Sequence, residues 1–458
     1  MRQFTGYLVL SFAVLCMIAC TEGKSKQLQT GTNDYGQPFY QDKPYLQEFS
    51  IKYLADKTQQ ASLVALSTNR DGQVRLLTNR GVLVPDNGSM FYSGGLTPDV
   101  SYIQLLSKKI TAIGTYHNQT FYLDNRQLFS NAWAGKIQID HGLAGARLFA
   151  GGDDFQFLIS DGENLAYFNQ AGEKLWTGTF RGLLQIRYFE NHKSFLLVSA
   201  EKVAEYTPGQ TIQDIYSGTG ITCASGFNGN KIMIGTNAGY LVVPGKDLVT
   251  KLPCTEITTL QEINGQMWFG STHGAFRLNA NGKFSYYAGE RWIPGNRVIA
   301  IEAGPEQSVL VLTEHGIGKI CRKMMTLEEK AMFFEKQVRE KNIRYGFNSS
   351  SSRLINSYSS GQTGAQPSDN LWTSMYLASQ LYRYKVTGSE EARQNARESF
   401  EAMERLFTVT GIEGLFARSY ECDYKVDTVR KPGWEKREWQ SGSPASLWLP
   451  ARDHSNWT

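Results

Sequence analysis

A strong excess of charge of either sign is missing from this 458-residue chain. Lys and Arg number 47 and Asp and Glu number 43, which gives a formal net charge of +4. No stretch gathers enough Lys and Arg to form a basic tract. Because proteins that bind nucleic acid usually concentrate positive charge on one surface, we expect no nucleic-acid partner.

The familiar sequence motifs of catalytic and cofactor sites are also missing. The chain contains no zinc or CxxC pattern, no phosphate-binding loop, no dinucleotide fingerprint and no nucleophile elbow. We therefore expect no metal and no cofactor. Beyond Cys20 the cysteines are Cys223, Cys254, Cys321 and Cys422. Export would permit a Cys223–Cys254 disulfide, and isolated buried thiols are the alternative that we favour.

Long hydrophobic runs are scarce, and the one near the N-terminus is short. Residues 7–19 are uncharged, follow Arg2 and are too few to span a bilayer, as in an export signal. The segment that ends in Ala19 and Cys20 resembles the lipobox of bacterial lipoproteins, and an ordinary secretory signal is the alternative. The resemblance implies a signal peptide at 1–19 and a lipid anchor on Cys20.

The residues after Cys20 predict a tether. Residues 20–45 are polar and rich in Gly, Gln, Lys and Asp, which favours a flexible link between a membrane and a folded part. No aspartate follows Cys20 directly. By resemblance to lipoprotein sorting in Gram-negative bacteria, this implies the outer membrane of a cell envelope.

A repeated pair of β-strands organises residues 46–321. In residues 266–278, an aromatic strand is followed by a tight turn at Gly274 and a second strand. The pattern recurs, at intervals of roughly 35 to 43 residues, in 74–84, 120–129, 155–167, 195–206, 232–243 and 309–320. Seven units at this spacing predict a seven-bladed β-propeller, with six or eight blades as alternatives and a pair of β-sandwiches as the rival fold.

Four of the units share a glycine in the turn, at Gly81, Gly239, Gly274 and Gly316. They resemble the two-component-regulator propeller repeat, which occurs in periplasmic sensors and other exported bacterial proteins. The match is good in the unit with Gly274 and weak in the second to fourth units. The resemblance implies a propeller that binds ligands or partners. His273 and His315 occupy equivalent turn positions, where solvated structural residues are the usual case.

Residues 322–458 change to a helical pattern. Thr326 and Glu329 form a capping box before a helix that carries Leu327, Ala331, Phe334 and Val338 as an apolar stripe. Asp369 caps a second helix at residues 370–387, which is apolar on nearly every side and is predicted to be buried all round. Ser389 begins a third, amphipathic helix, so a short antiparallel pair is expected.

This pair is the repeating unit of an α/α toroid. Residues 344–347, 368–376 and 416–419 resemble the first hairpin of six-hairpin, (α/α)6-toroid glycosidase-like domains. The pattern departs from that family in lacking an Asp-Gly after Asn370. A full toroid needs about twelve helices, so we expect an incomplete domain in this chain.

The toroid resemblance implies candidate site residues. Asp369 is the candidate catalytic carboxylate, with a plain helix cap as the alternative. Arg418 and Tyr420 are further catalytic candidates for an acidic sugar, or else solvated loop residues. Trp372 and Tyr376 are candidate substrate-binding aromatics that would stack on sugar rings, or else core residues.

Together these patterns predict a lipid-anchored envelope protein that binds or degrades glycans. The propeller would be the binding scaffold and the helical part the start of a hydrolase or lyase module. The alternative is a non-enzymatic sensor or assembly lipoprotein that binds protein partners through the propeller face. Membrane attachment through Cys20 is common to both hypotheses.

Overall fold

The computed structural model describes residues 42–56, 61–101, 105, 107–130, 137–245, 247–349 and 369–417, and the backbone of 420–422 and 448–450. The chain divides into two compact units. One spans Leu46–Met324, and the other comprises the described residues of Met1–Tyr45 and Met325–Thr458. In the described part of the chain, no helix is both long and apolar enough to cross a bilayer.

The larger unit is built almost entirely of β-strands. The strands of its first half are β1 (Tyr45–Leu54), β2 (Leu63–Thr68), β3 (Val74–Thr78), β4 (Gly81–Asp86), β5 (Gly94–Pro98), β6 (Ala112–Tyr116), β7 (Gln119–Leu123), β8 (Gln127–Ser130), β9 (Gln138–Asp140), β10 (Leu148–Gly151), β11 (Phe157–Ser160), β12 (Asn164–Phe168) and β13 (Lys174–Thr179). Those of its second half are β14 (Gln185–Phe189), β15 (Ser194–Val198), β16 (Lys202–Tyr206), β17 (Gln213–Ser217), β18 (Ile221–Phe227), β19 (Lys231–Thr236), β20 (Gly239–Val243), β21 (Ile257–Ile263), β22 (Gln266–Ser271), β23 (Gly274–Leu278), β24 (Phe284–Tyr287), β25 (Val298–Ala303), β26 (Val309–Thr313) and β27 (Gly316–Met325).

Consecutive strands pair into small antiparallel sheets. The sheets are β6–β9, β10–β13, β14–β17, β18–β20 and β21–β24, and a larger one in the order β2-β3-β4-β5-β1-β27-β26-β25. The larger sheet joins two four-stranded groups, because β1 pairs in parallel with β5 through Tyr53 and Leu54. In the β18–β20 sheet, an isolated bridge from Tyr240 to Val249 adds a further pairing.

The first strands of successive groups contact one another. These contacts run from β2 through β6, β10, β14, β18 and β21 to β25, and β25 contacts β2 again. The unit is therefore a nearly closed, propeller-like ring of sheets. The N-terminal strand β1 belongs to the same group as β25–β27, so residues from both ends of the unit complete that group.

The repeated hairpins lie where the sequence predicts them, as the second and third strands of each group. β3, β15 and β26 are buried along their whole length, because both faces of each sheet are covered by neighbouring sheets. This is why their sequences, apart from Arg75 in β3, are largely apolar and do not alternate. Between β21–β24 and β25–β27, the Trp268 ring stacks on Tyr287 with centroids 5.0 Å apart.

A buried hydroxyl holds the turn in the four units that share a glycine. The side-chain oxygens donate to the glycine carbonyls in the pairs Thr78–Gly81 (2.9 Å), Thr236–Gly239 (2.9 Å), Ser271–Gly274 (2.7 Å) and Thr313–Gly316 (3.0 Å). Each glycine has a positive φ, from +110° at Gly274 to +141° at Gly316. The Ser or Thr is therefore as much a part of the repeat as the glycine.

The smaller unit contains three helices within the described residues. Its elements are α1 (Leu327–Lys341), β28 (Ile343–Arg344), β29 (Phe347–Asn348), α2 (Asp369–Thr387), α3 (Glu390–Thr408), β30 (Tyr420–Cys422) and β31 (Trp448–Pro450). The capping box of Thr326 and Glu329 is present at the start of α1. Ser389 caps α3, and Gly388, with φ +64°, lets α2 and α3 pack as the predicted close pair.

Two predictions about helix burial are wrong for the described residues. The predicted apolar stripe on α1 is not its buried face, because Leu327 and Ala331 are exposed and the buried residue is Glu335. On α2, Met375 and Tyr382 are 57% and 70% exposed, so this helix is not buried all round. The buried residues of α2 are largely polar, and two of them, Tyr376 and Gln380, donate hydrogen bonds to Glu335.

The described cysteines are all free thiols, so a Cys223–Cys254 disulfide is excluded. Cys223 and Cys321 are buried, and Cys254 is half-buried. Burial raises the pKa of the Cys223 thiol to about 11. The side chain of Cys422 lies outside the described residues.

Candidate functional site

The candidate carboxylate Asp369 lies inside the helical unit. Its side chain has no exposed surface and accepts a hydrogen bond from Nη2 of Arg344 at 3.0 Å. Arg344 is held by the short β28–β29 pairing. Asp369 is thus the first residue of α2 and half of a buried ion pair. Its catalytic role stays a prediction.

The two candidate aromatic residues differ in exposure although they lie one helical turn apart. Trp372 is 45% exposed, whereas Tyr376 is 5% exposed. The Tyr376 hydroxyl donates to Oε1 of Glu335 at 2.6 Å. Burial, and then the Glu335 carboxylate, raise the pKa of Tyr376, so it is neutral at physiological pH. Trp372 is therefore the better placed of the two to contact a ligand.

Three other predicted site residues cannot be compared with the structure. Cys20, Arg418 and the side chain of Tyr420 lie outside the described residues, and their roles stay predictions. His273 and His315 are both exposed on turns of the propeller-like unit. Among the described residues, no group of three or more His, Cys, Asp or Glu side chains is placed to hold a metal ion.

A buried carboxylate that the sequence analysis missed organises the helical unit. Glu335 accepts hydrogen bonds from Tyr376, from Nε2 of Gln380 at 2.7 Å and from Nδ2 of Asn395 at 2.9 Å. The nearest cation, Arg383, lies 4.0 Å away. With its oxygens occupied in this way and 7% of its surface exposed, Glu335 joins the three helices.

The propeller-like unit has two adjoining cavities where its first and last groups of strands meet. The first has a volume of about 490 Å³ and is lined by residues that include Tyr53, Arg75, Val84, Asp99, Pro305 and Leu310. The second has a volume of about 710 Å³ and is lined by residues that include Asn69, Arg70, Thr115, Asn118, Glu302 and Glu306. Gly72, Pro305 and Lys319 line both, and we call the two together the seam cleft.

A glycine, Gly72, lies in the lining that the two cavities of the seam cleft share. Gly72 has a φ of +74°, and a Cβ atom there would lie 2.8 Å from Cβ of Pro305. A larger residue would push the β2–β3 turn away from the 3₁₀ turn at Pro305–Gln307. A side chain at position 72 would therefore disturb the lining that both cavities share.

A buried ion pair forms the wall of the first cavity. Nε of Arg75 donates to Oδ2 of Asp99 at 2.8 Å, and their side chains are 4% and 2% exposed. Burial alone would raise the pKa of Asp99, but hydrogen bonds from Ser101 and Arg75 outweigh it and the pKa is lowered. Nη1 of Arg75 is buried and has no hydrogen-bond partner among the described residues. This nitrogen therefore lies behind the surface of the cleft wall, without a hydrogen bond to the described residues.

Charges of both signs surround the rest of the seam cleft. Nζ of Lys319 lies 3.5 Å from Oε2 of Glu306, which is exposed. Glu302 projects from β25, where loss of solvent raises its pKa and the positive charge of Arg187 partly offsets the rise. Hydrogen-bond donors and acceptors thus lie close together in the lining of the cleft. Such an arrangement suits a ligand with many hydroxyl groups.

One signal in the sequence could have located the seam cleft. Arg75 stands inside the apolar run of β3, between Val74 and Leu76. A charge within a buried strand requires a partner or a function. The sequence does not identify Asp99 as that partner, because a loop and two strands separate the two residues.

Comparisons with known proteins support no family assignment. No protein-family model matches the chain. No curated protein matches it either.

Solved structures to which the chain is similar include a β-propeller domain and the extracellular domain of a two-component system. A streptogramin B lyase is 13% identical, with 61% of this chain and 98% of that one covered and a TM-score of 0.43. The extracellular domain of a putative hybrid two-component system from B. thetaiotaomicron is 11% identical, with 59% and 39% covered and a TM-score of 0.46. The WD40 propeller of Doa1 is 8% identical, with 61% and 97% covered and a TM-score of 0.45.

Proposed function

We propose that this chain is an envelope protein whose propeller binds glycans. The described strands form seven groups around the ring, counting β25–β27 with β1 as one, and we take each group as a blade. The N-terminal strand β1 would then complete the last blade. The anchor at Cys20, the outer-membrane location and the tether at 20–45 are parts of this proposal that rest on the sequence.

The observation that carries the proposal is the seam cleft. Arg75 and Asp99 belong to its wall, and the cation of Lys319 lies beside the carboxyl groups of Glu302 and Glu306. Val84, Pro85 and Leu310 add an apolar wall. A sugar presents hydroxyl groups around its edge and C–H groups on its face, so it needs both kinds of surface.

The helical part is proposed as the start of a toroid glycosidase-like or lyase-like module. The close pairing of α2 with α3 agrees with a toroid hairpin, and Asp369, Trp372 and Tyr376 would belong to its site. Because Asp369 is buried against Arg344, the described residues offer no open carboxylate at this position. We therefore propose glycan binding, rather than turnover, as the activity of this chain.

A glycan array with acidic and neutral glycans tests binding, and a reducing-sugar assay on the same glycans tests turnover. Binding should be followed by titration calorimetry on the Lys319→Met variant, which removes the cation that borders both cavities. We expect it to lower the affinity roughly tenfold, the usual effect of losing a charged hydrogen bond. Lys283→Met is the matched control, because Lys283 is exposed and lines neither cavity.

Two results would overturn the proposal. One is the absence of binding to every glycan on the array. The other is an equal loss of affinity in Lys319→Met and Lys283→Met, which would place the ligand outside the seam cleft. A stable complex with an envelope protein, together with no glycan binding, would favour the sensor or assembly alternative.

A further inference from the structure

The strands that line the interior of the ring carry very little charge. These strands, β2, β6, β10, β14, β18, β21 and β25, contact one another in turn. The charged residues in their sequences are Arg187, Glu262 and Glu302, and Arg187 is the one cation. Because a charge inside a protein is costly without a compensating group, the place of Arg187 requires an explanation.

The side chain of Arg187 crosses the interior of the ring. Ile186 on β14 is 7% exposed and packs in the core, so Arg187 and Gln185 lie on the opposite side of the strand. Oε1 of Gln185 accepts a hydrogen bond from the backbone N–H of Ala224 on β18 at 3.0 Å. Nη1 of Arg187 donates to Oε1 of Gln261 on β21, the strand that follows β18 around the ring. The guanidinium therefore reaches past the neighbouring strand to contact the one beyond it.

The described residues do not neutralise the charge of Arg187. None of their carboxylates lies within ion-pair distance of its guanidinium. Glu302 is close enough to feel the positive charge, but loss of solvent outweighs it and raises the pKa of Glu302, which opposes the ionised form. Glu262 is exposed, and the pleat of β21 directs its side chain away from that of Gln261. Burial raises the pKa of the nearby Cys223 thiol to about 11, so this group supplies no negative charge either.

Most hydrogen-bond donors at this position are open to a ligand. A guanidinium has five N–H groups, and one of those of Arg187 donates to a described residue. Arg187 is half-buried, and its nitrogens that lack a described partner keep access to solvent. Nε2 of Gln261 makes only a long contact, of 3.5 Å, with the carbonyl of Glu262. Two parallel donors of a guanidinium match the two oxygens of a carboxylate, and a side-chain amide can donate to the same group.

We propose that Arg187 and Gln261 bind a carboxylate group inside the ring. The guanidinium donates two hydrogen bonds to the carboxylate oxygens, and the Gln261 amide donates another. The ligand then supplies the negative charge that the interior of the ring lacks. A small organic acid and an acidic sugar both carry this group. Glu302 also borders the second cavity of the seam cleft, so the site lies beside that cleft, but a free organic acid binds there whether or not the cleft takes a glycan.

Titration calorimetry of the mature full-length protein, at neutral pH and constant ionic strength, tests the site. Acetate supplies the carboxylate alone, glucuronate supplies it on a sugar, and glucose is the sugar without it. We expect both acids to bind, and glucose to bind at least roughly tenfold more weakly than glucuronate. Binding of glucuronate without acetate would support the site and identify an acidic sugar as its ligand. Binding of neither acid, or equal affinities for glucuronate and glucose, overturns the proposal.

Substitutions in the interior of the ring separate ligand binding from stability. Arg187→Met removes the donors and should lower the affinity for the acid at least roughly tenfold. Gln261→Glu places a carboxylate of the protein against Arg187, so the guanidinium is already occupied and the affinity should fall to a similar degree. The unfolding midpoint of Gln261→Glu should equal or exceed that of the wild type, so its loss of binding would not reflect a damaged fold.

The control and the contradicting results use the same titration. Arg181→Met is the matched control, because Arg181 is exposed in the turn before β14, and it should bind the acid as the wild type does. Wild-type affinity in Arg187→Met or in Gln261→Glu contradicts the assignment. An equal loss of affinity in Arg181→Met and Arg187→Met contradicts it as well, since the acid would then respond to the overall charge of the protein.

Discussion

Glu335 and Asp99 are carboxylates that lie almost entirely inside the protein, and each is held by donors from other elements. Glu335 on α1 accepts from side chains of α2 and α3, and Asp99 after β5 accepts from Arg75 on β3. A buried charge without partners is costly, so these groups fix how their elements meet. Each therefore gives a prediction about stability.

Glu335→Leu should destabilise the helical unit by about 3 kcal/mol, because it leaves the donors of Tyr376, Gln380 and Asn395 buried without an acceptor. Glu335→Gln should cost less, since its carbonyl oxygen still accepts. Chemical denaturation followed by circular dichroism at the helical band measures both. Glu340→Gln on the exposed side of α1 is the control and should change stability by less than about 0.5 kcal/mol. A loss of similar size in the control would contradict the role of Glu335.

Because of Asp99, part of the stability of the propeller-like unit should depend on pH. Its pKa is lowered in the folded protein, so its contribution is complete above the ordinary pKa of about 3.9. The contribution is lost as the pH falls from that value through the lowered pKa, because the unfolded chain then binds the proton more readily. Asp99→Asn should be less stable than the wild type at pH 7, and the gap should narrow below about pH 4.

Denaturation midpoints at several pH values between neutral and strongly acid test this dependence. The exposed Asp71→Asn is the control and should follow the wild-type curve. A gap between Asp99→Asn and wild type that stays constant down to strongly acid pH would contradict the prediction.

At the scale of secondary-structure elements, the hairpin turns are the feature that the repeated units share. In β22–β23 the chain turns at Gly274, whose φ is +110°. A Cβ atom there would lie 2.9 Å from both Cβ of Ala288 and the carbonyl oxygen of Tyr287. The turn is thus packed against the loop after β24, which a longer side chain would displace.

Gly274→Ala should therefore cost more than the strain of a positive φ alone. We expect a loss of about 3 kcal/mol, compared with about 1 kcal/mol for Gly282→Ala. Gly282 also has a positive φ, of +75°, but a Cβ atom there would meet no other part of the described chain within 4 Å. Thermal unfolding of both variants measures the difference, and equal losses would show that packing at Gly274 is unimportant.

The sequence predicts the hairpins well because their cause is local. A strand buried on both faces is an apolar run, and a turn of positive φ selects glycine, so β22, β23 and Gly274 are visible without any distant contact. The pairing of β1 with β27 and β5 joins residues far apart in the chain, and no pattern near Tyr53 reveals it. Glu335 was missed for the same reason, since its partners lie on two later helices. The seam cleft depends on both kinds of distant contact.

At the scale of the whole propeller-like unit, a single carboxylate ties β1 to the strands around it. Glu48 accepts hydrogen bonds from Arg277 at 3.1 Å, from Arg322 at 3.2 Å and from the Tyr287 hydroxyl at 2.9 Å. Both guanidinium groups also lie over the buried Trp268 ring, at 5.5 and 5.8 Å from its centroid. These contacts, together with the pairing of β1 with β5, hold the first and last groups of strands together. The seam cleft lies where these two groups meet, so it exists only while they stay together.

Hydrogen–deuterium exchange of β1 in the mature protein tests this closure most directly. We predict that the amides of Tyr45–Leu54 exchange as slowly as those of β26, and that Glu48→Ala accelerates exchange in β1 more than in β15. Exchange of β1 within seconds in the wild-type protein, at the rate of an unpaired segment, would contradict a ring closed by its N-terminal strand and the cleft that the closure forms.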